Sequence, residues 1–172
     1  MTVIGNGDIA GAIVDRPEFT YFASGVSNSA ETRQSEFERE RNLLYQQGRD
    51  AHIVYFSSLC VFYSDTPYAR HKRVMEMRVR RLQHYTIVRL GNILWGCNPN
   101  TLVNHLRRQH ADGYQLDIQP VQRVVHTLEE FHWTLATLPE WNCEREVPGR
   151  LLTVRQIVER YVAPLGEFYR VA

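Results

Sequence analysis

The sequence has little cysteine, almost no net charge and no long apolar run. Its three cysteines, Cys60, Cys97 and Cys143, are far apart and form no CxxC pair, so neither a disulfide framework nor a zinc knuckle is predicted. The 20 Lys+Arg residues nearly cancel the 19 Asp+Glu residues, which gives no argument for a nucleic-acid or acidic-membrane partner. No stretch reaches the ~20 apolar residues of a membrane span, and the N-terminus lacks the pattern of a secretory signal. We therefore expect a soluble, cytoplasmic protein without a membrane or nucleic-acid partner.

Metal-ligand spacing is also scarce. The one suggestive set is His126, Glu129 and His132, which are three residues apart in turn on a predicted helix. No obvious partner ligands occur elsewhere in the sequence. We favour an amphipathic helix there and predict no metal site.

The length and composition suit one globular domain with a sizeable core, because 172 residues contain 44% hydrophobic residues. Strand-type apolar runs alternate with helical patterns, which indicates a parallel sheet covered by helices on both faces. Strands are predicted over residues 2–4, 19–26, 52–56, 85–90, 113–118 and 124–125. Helices are predicted over residues 30–48, 67–81, 98–109, 127–138 and 153–163, and residues 139–147 are predicted to be irregular.

Two of the predicted helices are highly charged. The helix over 30–48 has a sparse apolar stripe of Phe37, Leu43 and Leu44, and its Glu and Arg residues are expected to form a solvated face. The arginines of the helix over 67–81 are expected to be solvated as well. The apolar residues between them are interpreted as core or as a helix–helix dimer surface: Val74, Met75, Met77 and Val79.

A glycine-rich turn follows the first predicted strand. Gly5-x-Gly7-x-x-Ala10 matches the GxGxxG/A fingerprint, in which the first glycine permits a tight turn and the second lets a pyrophosphate approach the backbone. Unpaired N–H groups at the start of the following helix would face that anion. Two interpretations stay open: a nucleotide-binding turn, or an ordinary strand-to-helix turn with glycines for geometry.

Small and polar residues follow four of the predicted strands. They are Gly5–Gly7, Ala23–Gly25, Ser57–Ser58 and Gly91–Asn92. The carboxyl ends of parallel strands meet at one edge of a sheet, where open α/β sheets bind their ligands. The agreement in position of these four segments predicts a ligand crevice at that edge.

Tyr68 and Lys72 are four residues apart, so on a helix their side chains lie on one face. Ser58 stands at the end of the preceding apolar run. A phenol, an ammonium and a hydroxyl that converge at the mouth of a sheet would form a proton-transfer site. The alternative is a helix-surface tyrosine, a solvated lysine and a strand-end hydroxyl without a joint role.

Several motifs follow one another in an order found in one enzyme family. They are Gly5-x-Gly7-x-x-Ala10, Phe22-Ala23-Ser24-Gly25, Asn42, Ser57-Ser58-Leu59-Cys60-Val61-Phe62, Tyr68-x-x-x-Lys72, Glu76, Arg89-x-x-Asn92 and Arg123-x-x-His126. In this order they resemble the extended short-chain dehydrogenase/reductase family, the nucleotide-sugar epimerase and dehydratase group. The resemblance extends over nearly the whole chain.

The resemblance implies a Rossmann-type domain that binds NAD or NADP and transfers a hydride. Tyr68 would be the general acid/base, Lys72 would stabilise its phenolate and hold the cofactor ribose, and Ser58 would orient the substrate together with Asn92. A homodimer is also implied. The cofactor-binding residues expected from the turn, the second strand end and the helix are Gly5, Asn6, Gly7, Asp8, Ile9, Ala23, Ser24, Gly25 and Lys72.

The chain departs from the family pattern by being short. Only Gly11–Glu18 separates the glycine turn from Phe19, which is too short for the helix–strand–helix stretch of the family. We therefore predict one Rossmann-type domain over residues 1–172, with a reduced number of strands and a small substrate-side region at roughly 97–150. The predicted function is oxidoreductase, epimerase or dehydratase chemistry on a nucleotide-linked sugar or similar small substrate. The alternative is a non-catalytic Rossmann module that binds a nucleotide or a protein partner.

Overall fold

The computed structural model describes residues 2–14, 16–48, 50–116 and 118–163, so parts of the domain predicted over 1–172 lie outside the described residues. Strands and helices alternate along most of the chain. The strands are β1 (Thr2–Ile4), β2 (Thr20–Phe22), β3 (Ile53–Ser58), β4 (Tyr85–Leu90), β5 (Asn92–Ile93), β6 (Gln122–His126), β7 (Cys143–Glu146) and β8 (Arg150–Thr153). The helices are α1 (Asp8–Gly11), α2 (Gln34–Tyr45), a short 3₁₀ helix (Leu59–Phe62), α3 (Pro67–Val79), α4 (Leu102–Ala111), α5 (Leu128–Ala136) and α6 (Val154–Tyr161).

The main sheet has five strands in the order β1-β2-β3-β4-β7, and all four neighbouring pairs are parallel. A second sheet of three strands has the order β5-β6-β8, with β6 and β8 antiparallel. The predicted α/β fold with a parallel sheet is therefore confirmed. Within the described residues, the main sheet also has fewer strands than the six of a doubly wound dinucleotide-binding sheet, as predicted.

Helices cover both faces of the main sheet. On the first face, Val54 and Phe56 of β3 pack in a core with Phe131 and Leu135 of α5, and Ile9 of α1 borders this core. On the second face, Ile53 and Tyr55 of β3 pack in a core with residues of α2 and α3. Since successive side chains of a strand point to opposite faces, the unbroken apolar run of β3 serves both cores.

The first two crossovers of the sheet have opposite hands. Both β1–α1–β2 and β2–α2–β3 step to the next strand in the same direction, but α1 lies on the first face and α2 on the second. About 98% of such crossovers are right-handed, so one of these two is exceptional. The strand order also never reverses, and within the described residues β1 forms the edge of the sheet.

Helix α3 begins where the sequence predicts. The Thr66 side chain accepts a hydrogen bond from the Ala69 N–H over 3.2 Å, and Pro67 occupies the first turn. Met75 and Val79 are fully buried in the second core, whereas 52% of Met77 is exposed. Of the two interpretations of these apolar residues, core packing is the one that the structure shows for Met75 and Val79.

Several boundaries differ from the prediction. Residues 143–146 form strand β7 rather than irregular structure, since the backbone of this polar segment pairs with β4. No strand is present at 113–116 or at 118, where a short strand was expected. Helix α2 begins at Gln34 rather than at residue 30, and the second strand covers only Thr20–Phe22. No described helix is long and apolar enough to cross a membrane.

Candidate functional site

A cavity of about 980 Å³ opens at the carboxyl ends of β1 to β4. The predicted site residues converge there, because the ends of the parallel strands share this edge of the sheet. Those lining the cavity are Asn6, Gly7, Asp8, Ile9, Ala23, Ser24, Gly25, Ser58, Tyr68, Lys72 and Asn92.

The glycine turn lies at one side of this cavity. Gly5 has φ of 125°, and a Cβ there would lie 2.5 Å from the carbonyl oxygen of Ala23, so only glycine fits between β1 and β2. Gly7 lines the cavity, and a Cβ on it would meet no atom within 4 Å. Gly5 thus supports the turn, and Gly7 leaves its backbone open to a ligand.

Asp8, the first residue of α1, ties the turn to the loop after β5. Its carboxylate accepts hydrogen bonds from the Cys97 N–H over 3.0 Å and the Asn98 N–H over 2.9 Å. Gly96 has φ of 84° and lies so close to Asp8 that a side chain there would collide with the carboxylate. A negative charge is therefore fixed beside the turn that was predicted to bind phosphate.

Ser58 and Tyr68 lie on neighbouring elements of the cavity wall. Ser58 ends β3, and its Oγ accepts a hydrogen bond from the Cys60 N–H over 3.3 Å. Tyr68 lies in the first turn of α3 and packs against Val26 and Phe37, with 9% of its surface exposed. Burial raises the pKa of Tyr68 above its usual value, although the Lys72 ammonium and the Ser58 hydroxyl act in the opposite direction. The phenol is therefore protonated at neutral pH.

Lys72 is the only lysine in the chain, since the other 19 of the 20 basic Lys and Arg residues are arginines. Its ammonium Nζ donates to Oε1 of Glu40 over 2.9 Å, to the hydroxyl of Tyr55 over 3.1 Å and to the carbonyl of Phe56 over 3.4 Å. Gly25 covers this group: a Cβ on Gly25 would lie 2.7 Å from Nζ. The ammonium of Lys72 thus lies directly against Gly25 in the cavity wall.

Glu40 of α2 is fully buried, and hydrogen bonds surround its carboxylate. Oε1 accepts from the Tyr55 hydroxyl over 2.7 Å as well as from Lys72. Oε2 accepts from the Val26 N–H over 2.7 Å and from Nε2 of His71 over 3.0 Å. Burial opposes ionisation, but the Lys72 ammonium and these hydrogen bonds outweigh it and hold the pKa of Glu40 well below its usual range.

Glu40 was not among the predicted site residues, because the charged residues of this helix were expected to be solvated. For Glu40 that expectation is wrong. A signal was present: Glu40 stands three residues after Phe37 and four before Leu44, on the apolar stripe of the helix. Asn42, the asparagine expected from the family pattern, lies instead on the exposed side of α2.

Asn92 and His126 join the ends of the two sheets. Asn92 lines the cavity and donates to the Val124 carbonyl over 3.1 Å. The Gly91 N–H donates to Nε2 of His126 over 2.6 Å, and Nδ1 of the same ring donates to the Pro148 carbonyl over 2.8 Å. Both ring nitrogens are thus engaged in holding the backbone together, and His126 is a neutral, fully buried structural residue.

Polar groups from α4 and β6 complete the other side of the cavity. They include Asn98 and Thr101 just before α4, His105 within that helix and Arg123 on β6. Arg123 belongs to the segment that resembles the family's substrate-side motif. Across the cavity, Arg39 of α2 donates to the carbonyl and the hydroxyl of Ser24, each over 3.2 Å. The wall therefore carries positive charge on two sides.

Comparison with solved structures finds extensive similarity in fold. The chain superposes on WbmG of Bordetella bronchiseptica, solved with NAD and UDP, with a TM-score of 0.65 and 10% identity over 90% of this chain and 59% of that one. It is similar to a UDP-galactose 4-epimerase with a TM-score of 0.62 and 13% identity, covering 88% of this chain and 63% of that one. For dTDP-4-dehydrorhamnose reductase of Bacillus anthracis, solved with NADP, the TM-score is 0.58 with 17% identity, over 83% of this chain and 62% of that one.

These likenesses confirm, as structural similarity over most of the chain, the resemblance noted in the sequence motifs. At such low identity they show a Rossmann-like fold. The chain spans about three fifths of the length of each of these three proteins. No protein-family model and no curated protein matches the sequence.

Proposed function

We propose that this chain binds NAD or NADP and acts on a carbonyl or hydroxyl group of a small substrate, of which a nucleotide-linked sugar is the leading candidate. The observation that carries the proposal is that the glycine turn and the Ser58 and Tyr68 side chains line one cavity at the strand ends. Solved structures of similar fold contain NAD with UDP, or NADP.

The cavity wall suits the nicotinamide side of such a cofactor. Gly7 and Gly25 present backbone without side chains, and Ala23 and Ser24 are small, so a flat ring and its ribose have room beside β2. We propose that Asn6–Ile9 and Ala23–Gly25 hold the cofactor. When bound, the nicotinamide would supply the hydride chemistry.

The protein would orient the substrate and transfer protons to or from it. Tyr68, protonated at neutral pH, donates its hydroxyl hydrogen bond to a substrate oxygen, and Ser58 donates a second one to the same oxygen. Proton transfer from Tyr68 neutralises an oxyanion that develops there. Asn92 fixes the substrate from the β4 side of the cavity, and Arg123 with His105 faces a phosphate-bearing part of it.

Binding is tested by isothermal titration calorimetry of the wild-type protein with NAD⁺, NADH, NADP⁺ and NADPH. We expect saturable binding of at least one of them. Absence of binding for all four would refute the proposed function.

The role of Tyr68 is tested with Tyr68→Phe, which keeps the ring but removes the hydroxyl. Tyr114→Phe is the matched control, since Tyr114 is 66% exposed and outside the cavity lining. We expect the reduction rate of a bound keto-sugar nucleotide to fall by about 10²-fold or more in Tyr68→Phe only. Unchanged turnover would refute the mechanism while leaving cofactor binding intact.

A second function is favoured by one observation, the capture of Lys72 by Glu40. An ammonium whose charge is balanced by a buried carboxylate stabilises a phenolate less than an unpaired ammonium does, which fits a non-catalytic module that binds a nucleotide or a protein partner. Such a module would bind nucleotide in calorimetry but turn over no nucleotide-sugar substrate. The homodimer expected from the family pattern is also part of the proposal, and sedimentation equilibrium tests it.

A further inference from the structure

The ion pair between Glu40 and Lys72 is almost completely shielded from solvent, although Lys72 forms part of the cavity wall. Glu40 is 0% exposed and Lys72 is 2% exposed. An ammonium has three N–H groups, and the acceptors around Nζ are three: Oε1 of Glu40, the Tyr55 hydroxyl and the Phe56 carbonyl. No N–H of Lys72 is left over to bind a ligand in the cavity without breaking one of these bonds.

The carboxylate of Glu40 is held just as firmly from four directions. Its donors come from the backbone of Val26, from Tyr55 on β3, and from His71 and Lys72 on α3. A carboxylate can accept about four such bonds, and Glu40 receives four. The pair therefore joins α2, β3 and α3 directly beneath the end of β2.

The ion pair packs directly against the backbone of Gly25. A Cβ on Gly25 would lie 2.7 Å from Nζ of Lys72 and 3.0 Å from Oε1 of Glu40. The cation is the single lysine of the chain, since every other Lys or Arg position carries arginine, which has a larger, planar group.

The electrostatic surroundings of Lys72 are compensated. The titratable groups facing it are Glu40 of α2, Tyr55 of β3, Tyr68 and His71 of α3, and Cys60 of the 3₁₀ helix. Among these, Glu40 carries the full negative charge that balances the ammonium. Tyr68, whose ring centroid is 5.8 Å from Nζ, therefore faces a neutral pair rather than an isolated cation.

We propose that Glu40 is the permanent counter-ion and positioning residue of Lys72, which keeps the ammonium on the Tyr55 side and leaves the cavity with the neutral hydroxyls of Ser58 and Tyr68. This role of Glu40 is independent of whether the chain binds a cofactor.

The single lysine makes a direct test possible. Protein grown with lysine labelled with ¹³C at Cε and ¹⁵N at Nζ gives one side-chain resonance, which is followed from pH 6 to pH 11. In the wild type we expect no titration of Lys72 below its usual pKa of about 10.4. In Glu40→Gln the buried ammonium loses its counter-ion, and we expect its pKa to fall by at least about two pH units.

The matched control is Glu38→Gln on the same helix, since that side chain is 50% exposed and pairs only with Arg41 among the ion pairs described. We expect it to titrate as the wild type does. A Glu40→Gln pKa within about half a pH unit of the wild type would overturn the proposal, because a merely structural role for Glu40 would leave Lys72 unaffected.

A second measurement covers the case in which Glu40→Gln does not fold. Saturating NAD⁺ or NADP⁺ is added to labelled wild type, and the ¹⁵Nζ and ¹³Cε shifts are compared with those of the free protein. Unchanged shifts on binding support the proposal, and a shift that shows transfer of Lys72 from Glu40 to the ligand overturns it. If calorimetry shows no binding, the proposed function fails, while the wild-type titration still decides the role of Glu40: titration of Lys72 below its usual pKa overturns it.

Discussion

The Gly91 N–H donates a hydrogen bond of 2.6 Å to Nε2 of His126, which joins the end of β4 to β6. This bond needs a neutral imidazole, because protonated Nε2 cannot accept. Burial lowers the pKa of His126 below its usual value. The unfolded chain therefore binds a proton at His126 at a higher pH than the folded chain does.

The sign of the pH effect on stability follows from that difference. The contribution of His126 is fully present above the unfolded pKa of about 6.5 and is lost as the pH falls below it, by up to about 1.4 kcal/mol per pH unit. We predict that wild type loses more free energy of unfolding between pH 7.5 and pH 5 than His126→Gln does, measured by urea denaturation. Parallel losses in both proteins would contradict this assignment.

Gly25 is predicted to tolerate no side chain. In Gly25→Ala the new Cβ would lie 2.7 Å from Nζ of Lys72 and displace the buried ion pair. We expect a loss of about 1–3 kcal/mol in free energy of unfolding, measured by chemical denaturation. Gly48→Ala is the control, since a Cβ there meets no atom within 4 Å and should change stability by less than about 1 kcal/mol.

Asp8 is predicted to weaken the binding of anionic ligands at the glycine turn. Asp8→Asn removes the negative charge and keeps Oδ1 as the acceptor for the Cys97 N–H, while its amide NH₂ replaces the oxygen that accepts from the Asn98 N–H. We expect NADH, or UDP if it binds, to bind about fivefold more tightly at low salt, measured by calorimetry. The exposed substitution Glu129→Gln should leave the dissociation constant unchanged, and weaker binding to Asp8→Asn would show that the carboxylate supports the ligand.

Glu76 is predicted to stabilise the strand end beneath the cavity. It accepts from Arg89 over 2.8 and 2.6 Å and from the Ser57 hydroxyl over 2.6 Å, all within the buried interior. Glu76→Ala leaves the Arg89 guanidinium without this partner, and we expect a loss of about 3 kcal/mol in free energy of unfolding. A loss below about 1 kcal/mol, comparable to that of the exposed control Glu38→Ala, would show that Glu144 alone satisfies Arg89.

The parts of the fold that the sequence predicted are those governed by local signals. The apolar runs of β3 and β4 and the Thr66-Pro67 start of α3 lie where they were expected. Thr127 and Thr153 each begin a helix with a capping box, at the starts predicted for the helices over 127–138 and 153–163. Such signals involve residues only a few positions apart, and so they can be read without the tertiary structure.

The parts that the sequence did not predict depend on distant contacts. Strand β7 is a polar segment that becomes a strand because β4 offers a free edge, and Glu144 pairs there with Arg89. The capture of Lys72 by Glu40 joins residues that are 32 positions apart. Asp8 meets the loop at Cys97 only in the folded chain. A charged residue looks solvated in a sequence until its partner is known.

The convergence of Ser58 and Tyr68 with the glycine turn was predicted from their order along the chain, whereas their electrostatic state was not. Lys72 was expected to stabilise a phenolate, and the structure shows it compensated by Glu40. Burial then dominates the pKa of Tyr68 and raises it. The position of the candidate site thus follows from the topology of the sheet, and the compensated charge of Lys72 follows from one buried carboxylate.

The most direct test is a crystal structure of the protein soaked with the dinucleotide that binds best in calorimetry. We predict that the pyrophosphate lies at Gly7 and the nicotinamide ring between Ala23–Gly25 and the Tyr68 hydroxyl. We also predict that Lys72 remains hydrogen-bonded to Glu40. Electron density for the dinucleotide outside this cavity, or an empty cavity at saturating ligand, would contradict the account.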